Sequence, residues 1–509
     1  PKATLKSLLD DHLIASGDII YADTGVYTFS ANQEVSILDT GDTNDFVYLR
    51  GSTNIAAGGT AFRRNFSTGS SFALYLNGAS YWSISDITFR DSNYGLYLFN
   101  ATGTRVQGVR AFNNSSMGIY VSGSASTGVR IRNSASYRNL LQGVLLDGNA
   151  RATLDNMVLW RNDVAGLRVD SGFASLSNSV IIADGTLATA YQVATLTNVY
   201  ADYNNILVRT QAVVATVSQQ SLLLDSIGSW SAVSGQDRFS FGEEPLFANP
   251  GGGDFHLKSE ASEGRFQPGV GFVLDSETSR LIDAGNPTFA FTNEPAPNGS
   301  RINIGMFGNT WEDSKRITNA SIFAATHRQG GLATGTSILH WISYNLPSSH
   351  LVRVSYSPNG GSTWTSLATG LSATAEAYPW NTTAFSNTPA ALWRIESESD
   401  TNVFDQTTTF FSLRNSPLSL YINDSSLAGD VYTTGPGRST NWVATAQQPL
   451  NSLSLAIQRY NLEPGDTLYL DTGFYSVQPL VIGRQWAGST NVAVVLNGST
   501  NVPAGGSII

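Results

Sequence analysis

The sequence predicts an all-β chain: a long solenoid, then a small β-sandwich, then the opening of a second solenoid. Three observations lead there. First, segments 93–98 (NYGLYL), 116–121 (SMGIYV), 141–146 (LQGVLL) and 164–169 (VAGLRV) share one pattern, with Gly95, Gly118, Gly143 and Gly166 at steps of 23, 25 and 23 residues. A unit that short cannot bury its own apolar face and must stack on its neighbours. Second, the stretch around 321–414 alternates apolar and polar residues in short runs separated by turns. Third, motifs near the start of the chain return near its end.

In chain order, Leu5 to Ile14 reads as a short helix, and no ordinary amphipathic helix is legible between about 20 and 320. The coils follow. Phe89, Phe112, Tyr137 and Trp160 form one column, with Asp91, Asn114, Asn139 and Asn162 two residues later as a structural ladder. Asn suits such turns, because it tolerates left-handed backbone and bonds neighbouring main chain. Stacked amides can also continue side-chain hydrogen bonding from coil to coil. Ile84, Val106, Ile131, Leu154 and Leu176 form another column, followed at two residues by Asp86, Gly108, Asn133, Asn156 and Asn178. Alternation points Leu96, Leu98, Ile119, Val121, Val144, Leu146, Leu167 and Val169 inward, and Tyr97, Tyr120, Leu145 and Arg168 outward.

The third observation is a long period. Residues 464–476 (PGDTLYLDTGFYS) match 16–28 (SGDIIYADTGVYT), and 498–507 (GSTNVPAGGS) match 51–60 (GSTNIAAGGT). Gly465 minus Gly17 is 448, and Gly498 minus Gly51 is 447, so one residue is lost between the matches. Pro449 falls opposite Pro1. The expectation is one period of a tandem array, cut from a longer protein; the alternative is a single internal duplication.

The coil pattern, the opening GDIIYADTGVYT at 17–28, and the segments 254–259 (DFHLKS), 281–285 (LIDAG) and 298–305 (NGSRINIG) resemble the right-handed parallel β-helix repeat family, the architecture of pectate-lyase-like proteins. The resemblance implies a parallel β-helix over 1–320 whose last coils carry those closing segments. It is weak for activity, since lyases, hydrolases, epimerases and adhesins share the scaffold. Residues 321–414 resemble a fibronectin-type-III or immunoglobulin-like module, and YSPNGGSTW at 356–364 is similar to a phrase of bacterial extracellular sandwich modules. Residues 415–509 read as a lead-in cap and the first coils of the next β-helix. The combination resembles giant tandem-repeat bacterial surface proteins.

The resemblance implies a lysine base in one group of lyases. Here the lysines are Lys2, Lys6, Lys258 and Lys315, and none lies in the coils. The histidines His12, His256, His327, His340 and His350 also miss the central coils. An arginine base would need a strongly depressed pKa. Hydrolases need paired carboxylates. Asp86 and Asp91 share a coil, as do Asp155, Asp163 and Asp170, but no tight pair stands on the strands. Glu243 and Glu244 precede Pro245 in a turn.

Asp39, Asp42, Asn44 and Asp45 form a candidate cation loop. The second copy places Ala487, Thr490 and Val492 opposite the three acids, which argues against a required metal. No cofactor is expected. Residues 81–170 hold nine arginines and six aspartates, a locally basic stretch. Arg105, Arg130, Arg132 and Arg168, with Tyr97 and Tyr120, are the candidate contacts for an acidic glycan.

Composition narrows the classes. Charged residues make up 13% of the chain, and the net charge is −10. Nucleic acid is excluded as a partner, since neutralising phosphates requires clustered cations. Cysteine is absent, so disulfides and thiolate metal sites are excluded. No apolar run is long enough to span a membrane. The favoured reading is a structural or adhesive repeat, secreted or at the cell surface, whose partners are neighbouring repeats, other copies of itself, or a polysaccharide. The alternative is a polysaccharide-binding module, lyase or glycosidase.

Overall fold

A computed structural model describes residues 2, 4–65, 70–477, 482 and 492–509. The chain falls into two units, one of 1–220 and 243–318, the other of 221–242 and 319–509.

The first unit opens with helix Leu5–Asp11, whose Thr4 and Ser7 side chains cap each other's backbone N–H. A parallel solenoid follows. One coil holds strands Trp82–Ser85, Ile87–Arg90 and Tyr94–Phe99, and the next holds Arg105–Gln107, Arg110–Phe112 and Ile119–Ser122. Strands of the third kind stack into a nine-stranded sheet that begins at Glu34–Ser36. The first two kinds share a 14-stranded sheet, because Val129–Tyr137 and Ala150–Trp160 run unbroken through the bend between them. That bend carries Asn133 and Asn156 at φ 47° and 53°. Asp86, Gly108 and Asn178 hold the same left-handed turn in their coils. Asn and Asp tolerate that region better than other side chains do.

Registers follow from the alternation. Ile84, Val106, Ile131, Leu154 and Leu176 are successive partners and form one interior ladder. Leu96, Ile119, Val144 and Leu167 form another, wholly buried. Each such side chain stabilises the fold by about 1.5–3 kcal/mol through burial.

The asparagine ladder has three of its four expected members. Asn114 donates its side-chain N–H to Asn139 Oδ1 at 3.0 Å, and Asn139 donates to Asn162 Oδ1 at 2.9 Å. The rung below is Ser92, whose backbone N–H reaches Asn114 Oδ1, and not Asp91. Asp91 instead sits at φ 54° in the left-handed column of Asn113, Arg138 and Arg161. Phe89 is displaced likewise: it pairs with Ala111 and packs edge-on to Phe62, while Phe112 stacks on Tyr137. The two coils differ by one residue in the loop before the glycine. Asn93 bonds Ser115, a step of 22, whereas Gly95 precedes partners that place it level with Gly118, a step of 23.

The glycine column and the amide ladder are one device. A Cβ on Gly118 would stand 2.7 Å from Asn139 Nδ2, and one on Gly143 would stand 2.6 Å from Asn162 Nδ2. The backbone there is ordinary, so close approach rather than left-handed geometry demands glycine.

The segments expected as last coils do something else. Phe247–Asn249 pairs antiparallel with Asp254–Leu257, and Arg265–Gln267 with Gly271–Val273. The chain beyond them lies along the asparagine turns. Asn133 donates to the carbonyls of Met306 and Gly308, and Asn156 to those of Asn303 and Gly305. Residues 243–318 thus flank the coils instead of extending them, since they lack the paired aliphatic strands that a coil needs.

The second unit contains a helix that periodicity did not reveal, Ile227–Ser234. It is set by a Ser226–Ser229 capping box and by the buried Trp230. Ser321–Ala324, Thr336–Tyr344 and Ala377–Asn381 form one antiparallel sheet. Leu351–Ser357, Thr365–Ser372, Thr388–Ser397, Phe404–Gln406, Phe411–Leu413 and Leu332–Ala333 form another. Trp341 and Trp380 of the first sheet share a core with Val354, Trp393 and Phe411 of the second.

After them, Ser419–Ile422 pairs in parallel with Thr467–Leu470, which pairs with Val495–Gly498. This end repeats the beginning. Helix Leu453–Arg459 stands 448 residues after Leu5–Asp11. Ile20 pairs with Leu49 as Leu468 pairs with Leu496. Tyr27 and Tyr475 each donate to the carbonyl four residues back, of Asp23 and Asp471, at 3.1 Å. Gly17 and Gly465 share the left-handed region, at φ 87° and 95°. Pro1, Ala487 and Thr490 lie outside the described residues.

Candidate functional site

The outward column of the nine-stranded sheet runs Tyr75, Tyr97, Tyr120, Leu145 and Arg168. Its tyrosines stack on one another: Tyr75 and Tyr97 at 4.7 Å and 8°, Tyr97 and Tyr120 at 4.5 Å and 5°. Phe72 and Tyr94 stack beside them at 5.1 Å. Both faces of Tyr97 are therefore covered by rings, and its hydroxyl meets Ser122 Oγ at 2.9 Å. Burial pushes the hydroxyls of Tyr75 and Tyr120 up to about 12. The expected role of Tyr97 in stacking on a sugar has no free ring face to use. Leu145, read as outward, is covered and buried. Arg168 donates to Asp170 at 2.7 Å.

Arg105, Arg130 and Arg132 stand on the other sheet. Arg105 pairs with Arg130, and Gln107 with Arg132, which pairs with Asp155. All three arginines are exposed. Arg105 lies over the ring of Phe46 at 4.1 Å. Burial raises the carboxyl of Asp155 against the opposing pull of Arg132 and Arg130. The six expected glycan contacts therefore divide, with Tyr97, Tyr120 and Arg168 on one sheet and Arg105, Arg130 and Arg132 on another. Periodicity gives columns along the axis but not which columns share a face.

The candidate cation loop is an ordinary turn. Asp39 is buried and accepts from Ile14 N and Ser36 Oγ. Asp42 Oδ1 accepts from Asn44 N and Asp45 N, which lowers its pKa, and Ser16 Oγ donates to its other oxygen. Asp45 Oδ2 lies against Gly17. The carboxylates of Asp39 and Asp42 serve separate backbone N–H groups, and no group of three or more metal-ligating side chains exists among the described residues.

A shallow groove of about 540 Å³ lies where the coils turn after the tyrosine column, lined by Ser36, Asn77, Ser80, Phe99, Asn100 and Thr102 among others. Its lining holds no charged side chain, so it offers hydroxyl, amide, aromatic and aliphatic contacts.

A buried acid group in the flanking segment leaves no mark in the repeat pattern. Glu294 Oε1 accepts from Asn303 N at 3.0 Å and Asn309 N at 2.7 Å. Burial and the neighbouring Asp313 raise its pKa, and burial raises that of Asp313. Asp283, pushed up to about 7 by burial, joins them through its N–H to Asn303 Oδ1. His256 stacks on Phe307 at 3.6 Å and holds Asp254 at 2.6 Å. Burial pulls its pKa down, but bonding to Asp254 and the charge of Glu312 raise it overall. Glu294, Asp313 and Asp283 are buried, at 6%, 2% and 8% exposure. These acids are single residues in a stretch without repeats, which is why no pattern flagged them.

Residues 23–223 match the family model described as a right handed beta helix region. That stretch is the parallel β-solenoid seen here, ending at the last strand of the nine-stranded sheet. Among solved structures, an alginate lyase from Paenibacillus sp. str. FPU-7 aligns at 14% identity over 42% of this chain and 94% of its own, with a TM-score of 0.27. No curated protein matches.

Proposed function

We propose that this chain is a structural, adhesive repeat unit of a very long secreted or cell-surface protein, without catalytic activity. In this reading 1–320 is a β-helix rod with the segment 243–318 laid along its coils, 321–414 a fibronectin-III-like spacer, and 415–509 the cap and first coils of the next rod. The observation that carries it is the second copy. Thr24 Oγ1 meets Ser52 Oγ at 2.7 Å, and Thr472 Oγ1 meets Ser499 Oγ at 2.6 Å. Thr60 Oγ1 donates to Ala22 O as Ser507 Oγ donates to Leu470 O. Two starts built on the same hydrogen bonds support an array of rods.

The coding sequence on either side tests this directly: further copies at the same spacing are expected, and a single isolated pair would end it. Incubation with alginate, pectin and glycosaminoglycans tests the catalytic alternative. No unsaturated product is expected, and robust turnover lost on replacing an arginine would establish a lyase. A second reading, an acidic-glycan-binding module, is favoured by the exposed Arg105–Arg130 row. It predicts binding that Arg130→Ala with Arg132→Ala abolishes, and a flat glycan array counts against it.

A further inference from the structure

The two copies differ in what covers their first strand. In the second copy, Thr467–Leu470 has strand Ser419–Ile422 on one edge and Val495–Gly498 on the other. Thr467 N donates to Leu418 O and Asp471 N to Ile422 O, each at 2.9 Å. Asp471 fastens the covering segment: its carboxylate accepts the N–H groups of Val431, Tyr432 and Thr433 at 2.6–2.8 Å. Thr472 Oγ1 and Asn501 Nδ2 both donate to Gly429 O at 2.8 Å. Asp466 Oδ1 takes Leu418 N and Arg414 Nε. Tyr421 stacks on Tyr469 at 5.1 Å.

Every one of those receiving groups exists in the first copy. By the 448 and 447 offsets, Asp466, Tyr469, Asp471, Thr472 and Asn501 correspond to Asp18, Tyr21, Asp23, Thr24 and Asn54. There Ile19–Tyr21 pairs with Val47–Arg50 and ends its sheet. Among the described residues, the carboxylate of Asp23 accepts only Thr24 N. Asp471 and Thr472 are buried, at 0% and 4% exposure, whereas Asp23 and Thr24 are exposed. Tyr21 is 72% exposed. An open strand edge with a carboxylate ready for backbone N–H groups is a template for one more strand.

We propose that the edge of Ile19–Tyr21, with Asp18, Asp23, Thr24 and Asn54, is the docking face for the 414–448 segment of another copy of this repeat, seated as in the second copy. The identity of the occupant rests on the tandem-repeat reading, and the face itself rests on the matched registers.

The test places residues 414–448 directly ahead of residue 1 of the full chain, which reproduces the 448–449 junction. Hydrogen exchange then reads the amides of Ile19 and Asp23, with slowing of about tenfold or more expected. The slowing is expected to vanish with Asp23→Ala in the fused chain. No slowing, slowing that survives Asp23→Ala, or equal slowing by a scrambled segment would overturn the docking. Asp471→Ala serves as the reference in the same chain: it is expected to expose the amides of Thr467 and Asp471. If it does so while the fusion fails, the docking is wrong and the repeat register stands. Further copies in the coding sequence are read independently of both.

Discussion

The side-chain amide of Asn139 occupies the space that a methyl group on Gly118 would need, 2.7 Å away. Ser136 Oγ would be nearer still, at 2.0 Å. Gly118→Ala is therefore expected to cost about 1–3 kcal/mol by overpacking, although alanine suits the backbone conformation there. Urea unfolding of the variant checks it, and an unchanged midpoint would show that the ladder yields.

Asn139→Ala removes an acceptor from Asn114 and donors to Ala111 O and Asn162. Each buried group left without a partner costs about 1–3 kcal/mol. Asp91→Asn is expected to cost no more than about 1 kcal/mol, since Asp91 lies outside the ladder, Asn keeps the left-handed turn, and what is lost is the charge beside Arg90 and Arg63. Equal losses in the two variants would restore Asp91 to the ladder.

The tyrosine stack is expected to matter more for stability than the arginine rows do. Tyr97→Ala leaves Tyr75 and Tyr120 without the ring between them, a loss of about 3 kcal/mol. Arg130→Ala and Arg132→Ala are expected to change stability by no more than about 0.5 kcal/mol each, since both side chains are exposed. Thermal melting of the three variants ranks them.

Stability should fall on the alkaline side. Glu294, Asp313 and Asp283 have raised pKa values in the folded chain, so folding favours their protonated forms. Their contribution is complete below the ordinary carboxyl range of about 4 and is lost as pH rises through the folded value, about 7 for Asp283. Asp254 and Asp275 act oppositely, because their lowered pKa values supply stability that is lost only as pH falls below the same range. A maximum on the acid side of neutral is expected in melting temperature against pH. Asp283→Asn is expected to flatten the alkaline limb, and an unaltered limb would clear Asp283 of that role.

The coil columns were legible because burial repeats at every turn of the solenoid: Ile84 to Leu176, the four glycines and the asparagine turns all fell in register. Asp91 and Phe89 slipped because a loop one residue longer in the next coil moves the step from 22 to 23 between neighbouring columns. The flank at 243–318 was misassigned because its contacts are made by carbonyls of Met306, Gly308, Asn303 and Gly305, and backbone acceptors leave no trace in side-chain pattern. Glu294 and Asp313 were invisible because each is a single acid in a stretch without repeats, so no column marks it. The division of the arginines from the tyrosines needed the cross-section of a coil, which spacing along one column does not contain.

The shared architecture of the two starts has a genetic consequence for the proposed array. In the array proposed above, excising or inserting one span of 448 residues would leave a junction between equivalent segments, so recombination between copies would alter length without creating a new kind of seam. Reach, in such a polypeptide, would be inherited as a number of copies and free to drift between lineages while the chemistry of each seam stays constant.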